Sequence, residues 1–362
     1  MGKIRIGIVG AGGMTAYHIP GFKKAGAEVA AVADPDTAKA SKCATDFDIP
    51  KVYSSLKEMA ETERLDAVSI ITPNKFHAPL AIEALKSGLH VYCEKPPALN
   101  AKETLAMAKA SEKAGKKLLF GFCNRARPEA QALKKEIGSG RFGKVNSAEA
   151  AWIRRTGIPG FGGWFTTKAL SGGGPLIDLL HGVDLALWFM GYPEPESVLA
   201  RTFDDFIRDK RFRGPWGIPE KEDGVCDVES AVKAFITLKD GSCLIVRTSW
   251  AEMVEREEIA LRLQGSKEGA SIVRTFGTDG NDTTAVDTAR LYTMSAGGLR
   301  RDRDLTSKKD ETMGRIKCAE NFIRTLQGRE EPISDPLEAV RLMKIVDAMY
   351  ESARSRRPVI FK

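Results

Sequence analysis

Histidine is scarce in this chain: four imidazoles, His18, His77, His90 and His181, serve 362 residues. Any chemistry that needs a ring nitrogen therefore has few places to occur. Paired cysteine is lacking as well. Cys43, Cys93, Cys123, Cys226, Cys243 and Cys318 are scattered, with no CxxC pair and no histidine at metal-ligand spacing. This excludes a zinc-binding ribbon and a disulfide framework, and it predicts buried, reduced thiols and no metal. No apolar run approaches the length of a membrane span. The opening residues, MGKIRIGIVG, lack the long apolar segment and cleavage site of a secretory signal. The chain reads as a cytoplasmic protein with no membrane partner. With 43% apolar and 28% charged residues and no low-complexity tract, it reads as globular rather than disordered.

The formal charge is +7. Its basic clusters, RDKRFR (208–213) and LRRDRD (299–304), read as solvated loops, the second alternating with acids. No nucleic-acid motif accompanies them, so no nucleic-acid partner is expected. The surplus suits an anionic cofactor. At 362 residues the chain exceeds one ordinary core and predicts two domains.

Strand and helix alternate over the first third. KIRIGIVG (3–10), EVAAVAD (28–34), DAVSIIT (66–72), HVYCEKP (90–96) and KKLLFGFC (116–123) read as strands. HAPLAIEALKSG (77–88) and NAKETLAMAKASEKAG (100–115) read as helices, with Asn100 as an N-cap and Gly88 and Gly115 as stops. Near-continuous apolar strands between helices argue for a doubly wound parallel sheet covered on both faces. The first strand runs into Gly10-Ala11-Gly12-Gly13-Met14-Thr15, which opens a helix. Gly10 allows the tight turn, and Gly12 lets the backbone approach a pyrophosphate drawn to the helix N-terminus. The third fingerprint position is Thr15, where glycine or alanine is usual. Asp34 ends the second strand, placed to accept hydrogen bonds from a ribose diol. A 2′-phosphate there would meet like charge, and neither Pro35 nor Asp36 compensates, so NAD is expected over NADP.

Later motifs extend this reading. Thr72-Pro73-Asn74 ends the DAVSIIT strand and Phe76-His77 follows it, Glu94-Lys95-Pro96 ends the HVYCEKP strand, and GGGPLIDLLHGVD occupies 172–184. PISDPLEAVRLMKIVDAMYESA (332–353) comes last. In this order and spacing they resemble the Gfo/Idh/MocA family of NAD(P)-dependent sugar and polyol oxidoreductases, to about residue 355. The resemblance implies an NAD-binding Rossmann domain over 1–124. It implies a substrate-binding and oligomerisation α/β domain over 125–362, built on a large, mostly antiparallel sheet. A helix at about 336–354 is expected to pack back on the first domain. Homodimers or homotetramers through the sheet are implied too. DVESAVKAFITL (227–238), SCLIVRTSW (242–250) and EIALRLQG (258–265) fit such a sheet, with a KDG turn between the first two.

The family carries catalysis on the lysine of EKP, a role that falls on Lys95, with Glu94 at the nicotinamide ribose. Gly10, Gly12, Gly13, Met14, Asp34, Thr72, Pro73, Asn74 and His77 complete the expected cofactor site; His77 suits a helix N-terminal polar residue equally well. The family's acid and histidine that face the substrate usually lie four residues apart. Here they are Asp178 and His181, three apart, which a helix would still place on one face. Oxidising a secondary alcohol moves a hydride to nicotinamide and a proton to a base. That assigns His181 as base, Lys95 as stabiliser of the alkoxide and proton-relay partner, and Asp178 as orienter. Arg154, Arg155, Trp164 and Lys168, on the glycine- and aromatic-rich loop 150–174, and Asn124 and Arg125 are candidate substrate contacts or loop anchors. The alternatives are an NAD-dependent glycosidase working by transient oxidation, and a non-catalytic dinucleotide-binding regulator, which would tend to lose the lysine and histidine retained here.

Overall fold

Six strands form the first sheet: β1 (Arg5–Val9), β2 (Glu28–Ala33), β3 (Lys51–Tyr53), β4 (Ala67–Ile70), β5 (His90–Cys93) and β6 (Leu118–Phe120). They are described in a computed structural model that covers residues 2–277, 286–308 and 310–362. Their spatial order is β3-β2-β1-β4-β5-β6, every pair parallel. Order reverses between β1 and β4, which opens a crevice at the strand C-termini. Helices α1 (Thr15–Lys24), α2 (Thr37–Phe47), α3 (Leu56–Thr62), α4 (His77–Lys86) and α5 (Ala101–Ala114) connect them. The capping is as the sequence implies. Asn100 Oδ1 accepts the Glu103 N–H at 2.9 Å, and Gly115, at φ +62, ends α5. β3, with only three residues and little burial, gave no periodic signal and is a strand the sequence reading did not name.

The second sheet has nine strands: β7 (Val145–Ile153), β8 (Pro195–Phe203), β9 (Ala231–Leu238), β10 (Cys243–Ser249), β11 (Glu258–Gly265), β12 (Gly269–Thr275), β13 (Val286–Tyr292), β14 (Arg303–Asp304) and β15 (Val359–Ile360). All pairs are antiparallel except β7 with β10. The associated helices are α6 (Pro128–Gly138), α7 (Lys168–Ser171), α8 (Pro175–Asp178) and α9 (Leu180–Met190), with α9 lying on β7 and β11. The architecture is α/β throughout, as expected.

The chain divides into two compact units, and neither is one continuous stretch. The first takes Met1–Arg127 and Asp310–Met343; the second takes Pro128–Lys309 and Lys344–Lys362. Helix α10 (Arg315–Leu326) thus returns to the first unit, and the division falls inside α11 (Pro336–Ser355). Arg125 is fully buried in the first unit. It donates to Ile333 O at 3.1 Å and to Glu338 Oε2 at 2.5 Å, so it anchors that returning segment. Of the thiols, Cys43, Cys93, Cys123 and Cys318 are buried, whereas Cys226 and Cys243 are half-buried, which corrects the expectation for those two. Among the described residues no helix is long and apolar enough to cross a membrane.

Helix α10 packs on α1 at Gly21, where an added Cβ would lie 2.6 Å from Ile316 O and 2.7 Å from Ala319 Cβ. Helix propensity alone favours alanine by about 1 kcal/mol. The backbone oxygen cannot yield cheaply, so Gly21→Ala should instead destabilise by roughly 1–3 kcal/mol. Urea unfolding checks the sign, and a stabilised variant would contradict this packing.

Candidate active site

The glycine loop is held from both sides in the first unit. Gly10 takes φ +93, and a Cβ there would collide with Ile71 O at 2.3 Å. Its N–H donates to Ala33 O at 2.8 Å, at the end of β2. Nothing lies within 4 Å of where a Gly13 Cβ would be, so the loop surface is open there. Met14 is half-buried at the head of α1. Thr15 fits its unusual position by bonding its hydroxyl back to Gly12 O at 2.8 Å. Asp34 accepts the Ala11 N–H on Oδ2 at 2.9 Å and the Asp36 N–H on Oδ1 at 2.8 Å. Each carboxylate oxygen still has acceptor capacity for a ribose diol. Open glycine surface, helix start and fixed acid together fit a dinucleotide.

The C-terminal ends of β4 and β5 carry the next residues. Thr72, Pro73 and Asn74 follow β4, and Glu94 and Lys95 follow β5. Asn74 and Glu94 are buried, while Thr72, Pro73 and Lys95 are half-buried. His77 is buried too, with Nδ1 2.7 Å from Pro96 O and Nε2 2.9 Å from Thr72 O. Burial lowers its pKa, against the raising effect of the two carbonyls. Its nitrogens tie two strand ends together, which favours the local reading of this residue over cofactor contact. Glu94 Oε2 accepts the Lys95 N–H at 3.0 Å, and Glu94 Oε1 lies 2.8 Å from His18 Nε2. His18 escaped the sequence reading; its only signal there was the rarity of histidine. Asn124 is buried in the short turn Cys123–Ala126.

In the second unit a buried acid shapes the triple-glycine loop. Glu229 Oε1 accepts N–H bonds from Gly174 at 3.1 Å and Leu176 at 3.3 Å, and the Tyr350 hydroxyl at 2.9 Å. A Cβ on Gly173 would sit 1.9 Å from Tyr350 Oη, and one on Gly174 would sit 2.3 Å from Glu229 O. Glycine is needed because a main-chain carbonyl and a phenol occupy the space. Pro175 then starts α8, where its missing N–H costs nothing. The segment is not one helix. α8 ends at Asp178, Leu179 breaks it, and α9 starts at Leu180.

Asp178 and His181 flank this break and meet a polar cluster. Trp250 Nε1 donates to Asp178 Oδ2 at 2.9 Å, and the Arg154 guanidinium lies 3.6 Å from the same oxygen. Arg154 Nε and Trp152 Nε1 both donate to Glu257 Oε1, at 3.0 and 2.8 Å. The Trp152 ring lies 6.5 Å from the His181 ring, and Arg154 sits over Trp216 at 4.6 Å. The sequence placed Arg154 and Arg155 together, but only Arg154 turns inward. Arg155 is exposed and reaches Glu255 O at 3.4 Å. Glu257 and Trp250 lay outside any motif and were missed. Trp164 stacks on Phe165 at 3.8 Å, and exposed Lys168 lies 5.2 Å from the Tyr350 ring. No group of His, Cys, Asp and Glu among the described residues is arranged to hold a metal ion.

Burial holds the Glu229 carboxyl above its ordinary value of 4.5, although its donors pull the other way. A raised folded pKa favours the protonated form. This contribution to stability is therefore full below 4.5 and is lost as pH rises through the folded pKa. Glu229→Gln keeps an acceptor and removes the titration. Its stability relative to the parent should increase between about pH 4 and about pH 7.5. Urea unfolding at both pH values tests this, and parallel curves would refute it.

Comparison with known proteins identifies the family of the chain. Residues 4–122 match the oxidoreductase family, NAD-binding Rossmann fold, and residues 134–361 match the C-terminal alpha/beta domain of the oxidoreductase family. The chain is 30% identical over 356 residues to D-glucoside 3-dehydrogenase of Escherichia coli (strain K12), covering 97% of this chain and 96% of that protein. It is 29% identical over 351 residues to D-xylose 1-dehydrogenase (NADP(+)) 2 of Haloferax volcanii, covering 96% and 97%. A levoglucosan dehydrogenase solved with NADH and L-sorbose shares the fold, with a TM-score of 0.82 over 100% of both chains at 21% identity. With both of its domains matched, the chain belongs to the Gfo/Idh/MocA oxidoreductase family and carries that family's NAD-binding Rossmann fold.

Proposed function

We propose that the protein is an NAD-dependent dehydrogenase that oxidises a secondary hydroxyl of a sugar, inositol or related polyol, with Lys95, Asp178 and His181 as its catalytic residues. The observation that carries this reading is the Asp178 cluster, in which a carboxylate is fixed by Trp250 and Arg154 close to the break that also presents His181. The relatives named for D-glucoside and D-xylose support the substrate class.

Bound NAD supplies the hydride acceptor. Gly10, Gly12, Gly13 and Met14 receive its pyrophosphate at the start of α1, and Asp34 grips the adenosine ribose. Asp34 also repels a 2′-phosphate, which selects NAD over NADP. Thr72, Pro73 and Asn74 line the cofactor near its middle, and Glu94 holds the nicotinamide ribose. His181 takes the proton of the substrate hydroxyl, since an imidazole ordinarily titrates near neutral pH. The Lys95 ammonium stabilises the alkoxide that forms. Asp178, held by the Trp250 donor and the Arg154 ion pair, orients the imidazole or grips a neighbouring hydroxyl. Indole faces such as Trp164 suit the apolar faces of a sugar ring, with Lys168 and Asn124 as further polar contacts. Arg154, rather than Arg155, stands at the acid cluster.

A second copy of the chain is the proposed cover for the sheet face opposite α9. On that face Leu199, Phe235 and Ile245 stand in one cross-strand row on β8, β9 and β10, exposed by 44%, 46% and 41%. An apolar row of this kind favours association into a homodimer or homotetramer. Phe235→Asp should shift sedimentation toward smaller species; an unchanged mass would remove this face from the interface.

The function is tested with purified protein, NAD⁺ or NADP⁺, and a panel of aldoses, inositols, anhydrosugars and aryl glycosides. NADH formation with one polyol class and NAD⁺ is expected. Aglycone release without NADH would point to the glycosidase, and silence in both channels would point away from a sugar dehydrogenase. His181→Ala should lower kcat by roughly 10²–10⁴ with NADH affinity nearly intact. Unchanged turnover would dismiss His181 as the base.

A further inference from the structure

We propose that His18 is a positioning residue for the nicotinamide end of the cofactor site, acting through Glu94. This rests on the reading that Glu94 holds the nicotinamide ribose. His18 is 1% exposed on α1 and makes two polar contacts, Nε2 with Glu94 Oε1 at 2.8 Å and Nδ1 with Ser69 Oγ at 2.9 Å. Ser69, on β4, has no exposure at all, so its hydroxyl has no water to compete for the ring. One pattern satisfies every atom with a neutral ring. The Ser69 hydroxyl donates to Nδ1, and the Nε2–H is left to donate to the carboxylate. The serine thus sets the tautomer that Glu94 needs.

The carboxylate is gripped on both oxygens. Lys95 N–H donates to Oε2 at 3.0 Å, and His18 faces Oε1. A group held on only one oxygen rotates about its last bond; one held on both presents a fixed set of remaining lone pairs. The ring itself is fixed by edge contacts with Phe22, at 5.9 Å between centroids, and Tyr92, at 4.9 Å. The same helix starts at Thr15, beside the glycine loop. α1 therefore serves both ends of a dinucleotide, the pyrophosphate through its N-terminus and the nicotinamide ribose through His18 and Glu94.

The test compares affinities for NADH and ADP, by fluorescence titration and competition, in the full-length protein. ADP lacks the nicotinamide ribose, so it reports on the rest of the site. His18→Phe keeps an aromatic ring and removes both nitrogens. It should weaken NADH about tenfold and leave ADP unchanged. His18→Gln, whose amide nitrogen reaches the Nε2 position, should recover to within about threefold of the parent. Ser69→Ala, a smaller change to the core, should weaken NADH about two- to threefold with ADP unchanged. Joint loss of NADH and ADP affinity in His18→Phe would mean that the ring merely packs α1, which overturns the proposal. Glu94→Gln separates the two readings. If it leaves NADH affinity unchanged, the role of Glu94 fails and that of His18 falls with it. If it weakens NADH while the His18 and Ser69 variants do not, Glu94 stands and His18 is overturned.

Discussion

Carboxylates bonded to main-chain amides hold three of the loops in the candidate site. Asp34 takes the amides of Ala11 and Asp36, Glu94 that of Lys95, and Glu229 those of Gly174 and Leu176. A loop amide away from water must find an acceptor, and an ionised acceptor makes the stronger bond. Each acid thereby converts a flexible turn into a fixed platform. The glycines follow from this arrangement. They are the residues whose missing side chains let the backbone come within bonding distance of an acid or a neighbouring strand.

Much of the first unit was legible because its signals are local. An apolar strand, a glycine turn and an acid at the end of the next strand lie within the first 34 residues and share one physical logic. Caps such as Asn100 and stops such as Gly115 act on their own helices and could be read there. The return of α10 could not be read in this way. Its amphipathic face states that it must cover something, but not which sheet it covers. β3 was too short to show a period.

The candidate site was legible in its motifs and obscure in its supports. Asp178 and His181 sit in a recognisable segment, yet Trp250 and Glu257, which fix the cluster, come from the ends of strands far along the chain. Nothing local marks them. The three-residue spacing of Asp178 and His181 suggested one helical face. The break at Leu179 means that their relation is set by two short helices and a turn, which no periodicity rule describes. Arg154 and Arg155 differ only in which way a strand end points, and that depends on the pleat of β7.

The parallel pairing of β7 with β10 has a consequence for how the protein is made. Ser147 lies beside Cys243, and the triple-glycine loop, α7 to α9, β8 and β9 all fall between the two in sequence. Such distant pairing pays its loop-closure entropy early and folds slowly. A growing chain cannot complete the Asp178 cluster until Glu257 has left the ribosome. Nor does the first unit receive α10 before residue 326 has been made. Both cores thus wait for segments from the last sixth of the chain, and an interrupted chain would carry two unclosed cores rather than one finished unit.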